Sequence, residues 1–311
     1  MRIVVNGQQA FGAKVLEALL ERGEDVVAVY CAPDKEGKPP DPLAEAAREA
    51  GIEVRQPDSF ETDSAAADLA ELKPDLMVMA FVTLFVPEPV LNTPTRGTIQ
   101  YHPSLLPLHR GPSAINWAII HGDAKTGVAI FWPDEGLDTG PVLMLKEVEI
   151  ADDDTLGSLY FDKLFPLGVE AMIESVDLVR DGKAPKLDQD EEQATYESWC
   201  RKDDAEIDWS KPVREVYNHI RGTNPRPGGW TRIDGEEVGI LDCEQVDGDP
   251  GAQPGEVVEV DGDRLVVAAD GGAIAVTVVR ADGDKTSAGE YARGAGVGAG
   301  TVLGAGERSA T

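Results

Sequence analysis

The chain has 311 residues, enough for two domains with separate cores, and at 42% hydrophobic residues it is not a disordered chain. Its 57 acidic residues against 28 basic ones give a net charge of −29, a surface that repels nucleic acid and anionic membranes. Cys31, Cys200 and Cys243 are an odd number without any CxxC spacing, which excludes a disulfide framework and suits a reducing compartment.

The start, MRIVVNGQQAFG, runs directly into a strand and a glycine turn without an export leader, so a cytoplasmic protein is expected. Strands are expected at Arg2 to Val5, Asp25 to Cys31, Asp75 to Ala80 and Thr98 to His102, and helices at Phe11 to Arg22, Leu43 to Ala50 and Ser113 to His121. Their alternation predicts an α/β fold, a mostly parallel, Rossmann-like sheet covered by helices. The longest apolar run, Leu76 to Val86, is 11 residues, well short of the roughly 20 that cross a bilayer. Two more apolar runs, Val128 to Trp132 and Val142 to Val148, flank PDEGLDTGP and suit an antiparallel extension. Thr155 to Arg180 reads as one long amphipathic helix.

Asp181 to Ala205 then turns polar and turn-prone, which predicts a linker and sets the division at 1–190, 191–205 and 206–311. Beyond it come one helix, Pro212 to Gly222, and short β-like runs separated by Gly and Asp, the pattern of a smaller β-rich, barrel-like domain. The last eight residues, after a glycine-rich stretch, are expected to fray. Acidic residues scattered in runs such as Asp152 to Asp154 read as a whole-surface, halophilic adaptation: near 1 M salt the Debye length shrinks to about 3 Å and self-repulsion is screened.

Few residues carry chemistry. His102 precedes Pro103, which pushes it to extended geometry, so it is the last extended residue at a strand exit, where open α/β sheets bind ligands. Asp138 lies in GLDTG, a sequence that ordinarily makes a turn. A loop carboxylate and a strand-exit histidine are nevertheless the two components of a metal-free acyl transfer: the histidine stabilises an oxyanion or moves a proton, and the aspartate orients it. Gly7 and Gly12 lack the central glycine of GxGxxG and read as a tight turn rather than a dinucleotide site. His102, His109, His121 and His219 show no zinc-ligand spacing, and no metal is expected.

Together, HPSLLPLHRGPSAINWAIIHGD and TGVAIFWPDEGLDTGPVL resemble the core of the folate-dependent formyltransferase family. The likeness extends through PDKEGKPPDPL, FDKLFPLGVEAM and ATYESWCRKDDAEIDWSKPVREVYNHIRGTNPRPGGWT, nearly the whole chain. Its details look most like the hydrolase domain of 10-formyltetrahydrofolate dehydrogenases, and it is also similar to methionyl-tRNA formyltransferases.

The resemblance implies 10-formyltetrahydrofolate as formyl donor, with His102 and Asp138 as the catalytic histidine and aspartate. The third family position is asparagine in transferases and aliphatic in the hydrolase domain. Here it is Gln100, which keeps the amide donor but moves it outward by one methylene. The folate is expected along Phe81, Val82, Thr83, Leu84, Phe85, Val86 and Pro87, with pterin contacts from Asp134, Glu135, Gly136 and Leu137 to Asp138. Water, a small amine such as an amino sugar, and initiator methionyl-tRNA all remain as acceptors, ranked with water first and tRNA below. A catalytically silent folate-binding protein is the reading from another class. An aldehyde-dehydrogenase portion is not expected within these 311 residues.

Overall fold

The computed structural model describes residues 1–304, and the strands of its first sheet arise where the alternation placed them, except for a two-residue strand at Val54–Arg55 that was not expected. In chain order these are β1 (Arg2–Gly7), α1 (Gln9–Glu21), β2 (Asp25–Tyr30), α2 (Pro42–Glu49), β3 (Val54–Arg55), α3 (Ala65–Glu71), β4 (Leu76–Ala80), α4 (Glu88–Leu91) and β5 (Thr98–His102). Then follow α5 (Ala114–His121), β6 (Lys125–Phe131) and β7 (Val142–Glu149). The sheet order is β3-β2-β1-β4-β5-β6-β7. β1 to β5 are parallel, and β6 runs antiparallel to β5, so the apolar runs around PDEGLDTGP do extend the sheet. β1 and β4 are buried along almost their whole length, as expected where helices cover both faces.

Gly7 closes β1 against β4. A Cβ there would lie 2.1 Å from the Ala80 carbonyl oxygen, so close approach by itself requires the glycine.

The single helix expected over Thr155 to Arg180 is broken. It consists of α6 (Leu156–Ser158), a π-helical turn (Leu159–Leu164) and α7 (Phe165–Arg180). Pro166, in the first turn of α7, has no N–H to donate and its ring crowds the carbonyl four residues back, so a continuous α ladder cannot pass and the turn widens ahead of it. Thr155 and Ser158 cap the start reciprocally.

The second sheet is antiparallel. After a 3₁₀ turn (Asp203–Ala205) and α8 (Val213–Thr223) come β8 (Gly229–Ile233), β9 (Glu236–Val246), β10 (Val257–Asp261), β11 (Arg264–Ala269), β12 (Gly272–Ala281), β13 (Asp284–Ser287) and α9 (Ala288–Ala295). Its order is β10-β11-β12-β9-β8, with β13 paired to β12. Trp209, Val216, Ile220, Ile240 and Val276 belong to its core. Fraying was expected from residue 304 onward. Gly304 donates its N–H to the Arg232 carbonyl at 2.8 Å, and the other seven residues lie outside the described part.

The compact units are interleaved along the chain. The first comprises 1–111, 126–148 and 161–196, and the second 112–125, 149–160 and 197–311. Within the second, α5 packs on α8. The polar stretch expected as a linker divides at residue 196, and its first part is bonded to the first unit. Leu187 exchanges backbone hydrogen bonds with Val142 (2.8 and 2.9 Å), and the Trp132 indole N–H donates to the Pro185 carbonyl (2.9 Å). A polar composition fits an extended segment held by backbone groups as well as it fits a free linker, which is why the two were not separable by composition.

Candidate active site

Side chains two apart on a strand share a face, so Gln100 and His102 point to one side of β5 and Tyr101 to the other. Gln100 pairs across from Phe131 and His102 from Ala129. Tyr101 packs on Phe11, ring centroids 4.2 Å apart.

His102 is buried, and each ring nitrogen faces an acceptor. Nε2 lies 2.8 Å from the His109 carbonyl oxygen, and Nδ1 lies 3.6 Å from Asp138 Oδ2. A carbonyl can only accept, so Nε2 is the donor in that contact, and Nδ1 is the nitrogen that faces the carboxylate. Asp138, 7% exposed, also accepts the Gly111 N–H at Oδ2 (2.9 Å). Its φ of +57° and the +54° of His109 are left-handed conformations that L residues adopt at a cost of order 1–3 kcal/mol. The two residues that bracket His102 are thus both held in strained backbone.

The loop between β6 and β7 is pinned from within. Asp134 Oδ1 accepts from the Gly136 N–H (3.0 Å) and from the Thr139 hydroxyl (2.7 Å). A Cβ on Gly140 would sit 1.8 Å from the Trp132 carbonyl oxygen, so the loop closes on itself only with glycine there.

Asp138 faces a cavity of about 220 Å³ at the ends of β4 and β5. Of the residues expected to meet folate, Val82, Thr83, Leu84, Phe85, Val86, Asp134, Gly136 and Leu137 line it, as does Gln100. Phe81, Pro87 and Glu135 do not, and neither does His102. Phe85 and Leu137, each 54% exposed, put apolar surface at the rim. An apolar slot with a few convergent polar groups is the usual form of a small-molecule site. Gln8 donates to the Thr83 hydroxyl at 3.1 Å, tying the turn after β1 to the cavity wall.

Gln189 was not singled out from the sequence. Arg110, 7% exposed, forks onto Glu191 with Nη2–Oε1 at 2.6 Å and Nη1–Oε2 at 2.9 Å. Those bonds hold its ionisation above the ordinary range, against the opposing effect of burial and with the charges of Asp138 and Asp134 adding to it.

Comparison with known proteins decides the family. The amino-terminal formyl transferase domain profile matches residues 1–176, and the formyl transferase carboxy-terminal domain profile matches 200–296. The chain belongs to the formyl transferase family. Within it, the chain is 44% identical to the mitochondrial 10-formyltetrahydrofolate dehydrogenase of Mus musculus over 243 residues, 76% of this chain and 26% of that protein. To the cytosolic 10-formyltetrahydrofolate dehydrogenase of Homo sapiens it is 45% identical over 236 residues, 74% of this chain and 26% of that one. The chain thus spans about a quarter of the length of these dehydrogenases. It is 38% identical to the methionyl-tRNA formyltransferase of Acetivibrio thermocellus over 311 residues, 98% of this chain and 100% of that enzyme. Among solved structures it resembles HypX from Aquifex aeolicus in complex with tetrahydrofolic acid (TM-score 0.66, 20% identity, 94% of this chain and 47% of that one). It also resembles the sugar 3N-formyltransferase WlaRD (TM-score 0.68, 17% identity, 89% and 97%). At those identities the likeness to both structures is one of fold.

Proposed function

We propose that this formyl transferase takes the formyl group of 10-formyltetrahydrofolate and passes it to a small acceptor, with water ranked first. The observation that carries the reading is the buried His102–Asp138 pair, whose carboxylate faces a cavity walled by Val82 to Val86 and flanked by Gln100.

The pterin-bearing substrate would lie along that wall, with its formyl carbon toward Asp138. Asp138 receives the proton of the attacking acceptor, and His102 Nδ1, which faces the carboxylate, shares that proton. Addition to the formyl carbon makes a tetrahedral oxyanion, for which the Gln100 amide is the N–H donor lining the cavity. As the intermediate collapses, the bond from carbon to N10 breaks and N10 takes the proton. With water as acceptor the products are formate and tetrahydrofolate. The oxyanion role expected of His102 from the sequence would require its ring to release the His109 carbonyl, so the bound geometry favours a proton-sharing role.

Charge supports a small acceptor. Residues 197–311 hold 22 acidic against 12 basic residues, whereas each neutralised phosphate of a polyanion needs a lysine or arginine. One observation favours the second reading, transfer to methionyl-tRNA: the alignment with the Acetivibrio enzyme covers 98% of this chain and 100% of that enzyme. The buried, mutually oriented pair argues against a silent folate-binding protein.

The test incubates the protein with 10-formyltetrahydrofolate alone and measures formate, beside formyl transfer to charged initiator tRNA at the same salt. Formate release as the faster process supports the reading. Transfer to tRNA exceeding it by about tenfold replaces it with the second.

A further inference from the structure

We infer that Gln189, in the stretch that composition marks as a linker, is a positioning residue for Asp138. The inference rests on the functional reading above. Among residues 186–193, Gln189 alone is half-buried and the others are exposed. Its Nε2 donates to the carbonyls of Asp138 (2.8 Å) and Gly140 (2.7 Å), and its Oε1 accepts from Arg110 Nη2 (2.8 Å) and Nε (3.2 Å).

The chemistry of the partners fixes the side chain. A guanidinium can only donate and a carbonyl can only accept, so the residue between them must present an acceptor on one side and two donors on the other. A primary amide of this length does so. A glutamate keeps the acceptor for Arg110 but sets its second oxygen against two carbonyl oxygens.

The clamp acts where the site needs holding. Asp138 sits at positive φ, a conformation that persists only when its surroundings over-determine it, and Gln189 grips its carbonyl directly. Arg110 is followed by Gly111, whose N–H binds the Asp138 carboxylate. The same stretch supports the histidine's side: the Thr195 hydroxyl accepts the His109 N–H (2.8 Å), and the Thr195 N–H donates to the Pro107 carbonyl (3.1 Å). His109 in turn supplies the carbonyl that holds His102 Nε2. One extended segment therefore sets both the carboxylate and the imidazole, and Gln189 is its contact on the carboxylate side.

The experiment compares wild type, Gln189→Ala and Gln189→Glu with 10-formyltetrahydrofolate, measuring kcat, KM and the pH profile of kcat, with folding checked by circular dichroism. Misplacing a catalytic group by about an ångström lowers turnover by up to about 10²-fold, so both variants should lose about 10- to 100-fold in kcat with KM within about threefold. The limb of the pH profile due to the His102–Asp138 pair should move in both, and the near-isosteric glutamate should not rescue. Should Gln189→Ala fail to fold, Gln189→Glu carries the test. A folded variant with kcat within about twofold of wild type, a loss confined to KM, or rescue by glutamate overturns the inference while leaving the functional reading standing. Wild-type protein that neither releases formate nor transfers formyl overturns the functional reading itself, and the inference with it.

Discussion

Two arginines are buried among the described residues, Arg110 in the first unit and Arg221 in the second, 7% and 4% exposed. Arg221 has no carboxylate hydrogen-bond partner among the described residues. Its Nε donates to Asn218 Oδ1 (3.0 Å), and its Nη1 donates to the carbonyls of Ala151 (3.0 Å) and Asp154 (2.8 Å). Burial pulls its ionisation down, with the charge of Arg214 adding, whereas the Glu191 fork raises that of Arg110. The difference teaches that burial of a charged residue does not by itself mark a site. Arg221 fastens backbone segments to one another. Arg110 reaches, through Gln189 and Gly111, a carboxylate that faces a cavity.

The comparison breaks most readily at the pair itself. His102→Ala or Asp138→Ala should lower turnover by at least about 10²-fold, about 2.7 kcal/mol, with folate binding largely kept. Near-normal turnover in a steady-state assay would remove that residue from the mechanism.

Arg221→Met should sharpen the contrast. It strips the donors from two carbonyls and an amide, and a stability loss of about 2 kcal/mol is expected in urea unfolding, with kcat of the folded enzyme unchanged. Arg110→Met should do the reverse, lowering kcat with the smaller stability loss. If both variants behave alike, the distinction between fastening and positioning fails.

A third effect is confined to the second unit. Burial lowers the ionisation of His219 below its ordinary 6.5, and its buried Nε2 has no hydrogen-bond partner among the described residues. From 6.5 down to that lowered value the unfolded chain binds a proton that the folded chain does not. Stability should therefore fall as pH drops through this interval, by up to about 1.4 kcal/mol per pH unit, and His219→Gln should flatten the dependence. Unfolding midpoints of the two proteins between about pH 5 and 7.5 decide it.

The smallest effect is that of the net charge of −29. Screening its self-repulsion should raise the melting temperature by about 2–4 °C between dilute buffer and about 2 M salt. A flat dependence in melts at several salt concentrations would remove the salt-adaptation reading.

How much of this was legible follows from which forces are local. The exit of β5 was readable because Pro103 restricts His102 whatever surrounds it. The cavity wall was readable as an apolar run once the family resemblance located the folate. Gln189 was not, because its partners lie 49 to 79 positions away and a polar extended segment has no periodicity of its own. The break ahead of α7 had its signal in Pro166, a proline inside an otherwise helical pattern. α9 was hidden by its two glycines, though Ser287 with Glu290 three residues on is a helix-start pattern, and Ser287 Oγ does accept the Glu290 N–H at 3.2 Å.

The contact between Gly140 and Trp132 bears on how this protein could vary. The loop from Trp132 to Gly140 is a ring of fixed circumference, shut where the Trp132 carbonyl occupies the place of a Cβ and stitched beside it by the Trp132 N–H to the Pro141 carbonyl (2.9 Å). A residue inserted or deleted within that ring would have to be absorbed by rotating Asp138 away from His102. The stretch between β2 and α2, whose tip around Gly37 is exposed with open space where a Cβ would stand, carries a turn bond from the Lys38 N–H to the Lys35 carbonyl (3.0 Å) and no backbone atom in the place of a Cβ at Gly37. Length variation is therefore expected to be tolerated at that tip and costly in the ring, which makes the first a place to attach a tag or probe and the second a place where chain length sets the position of Asp138.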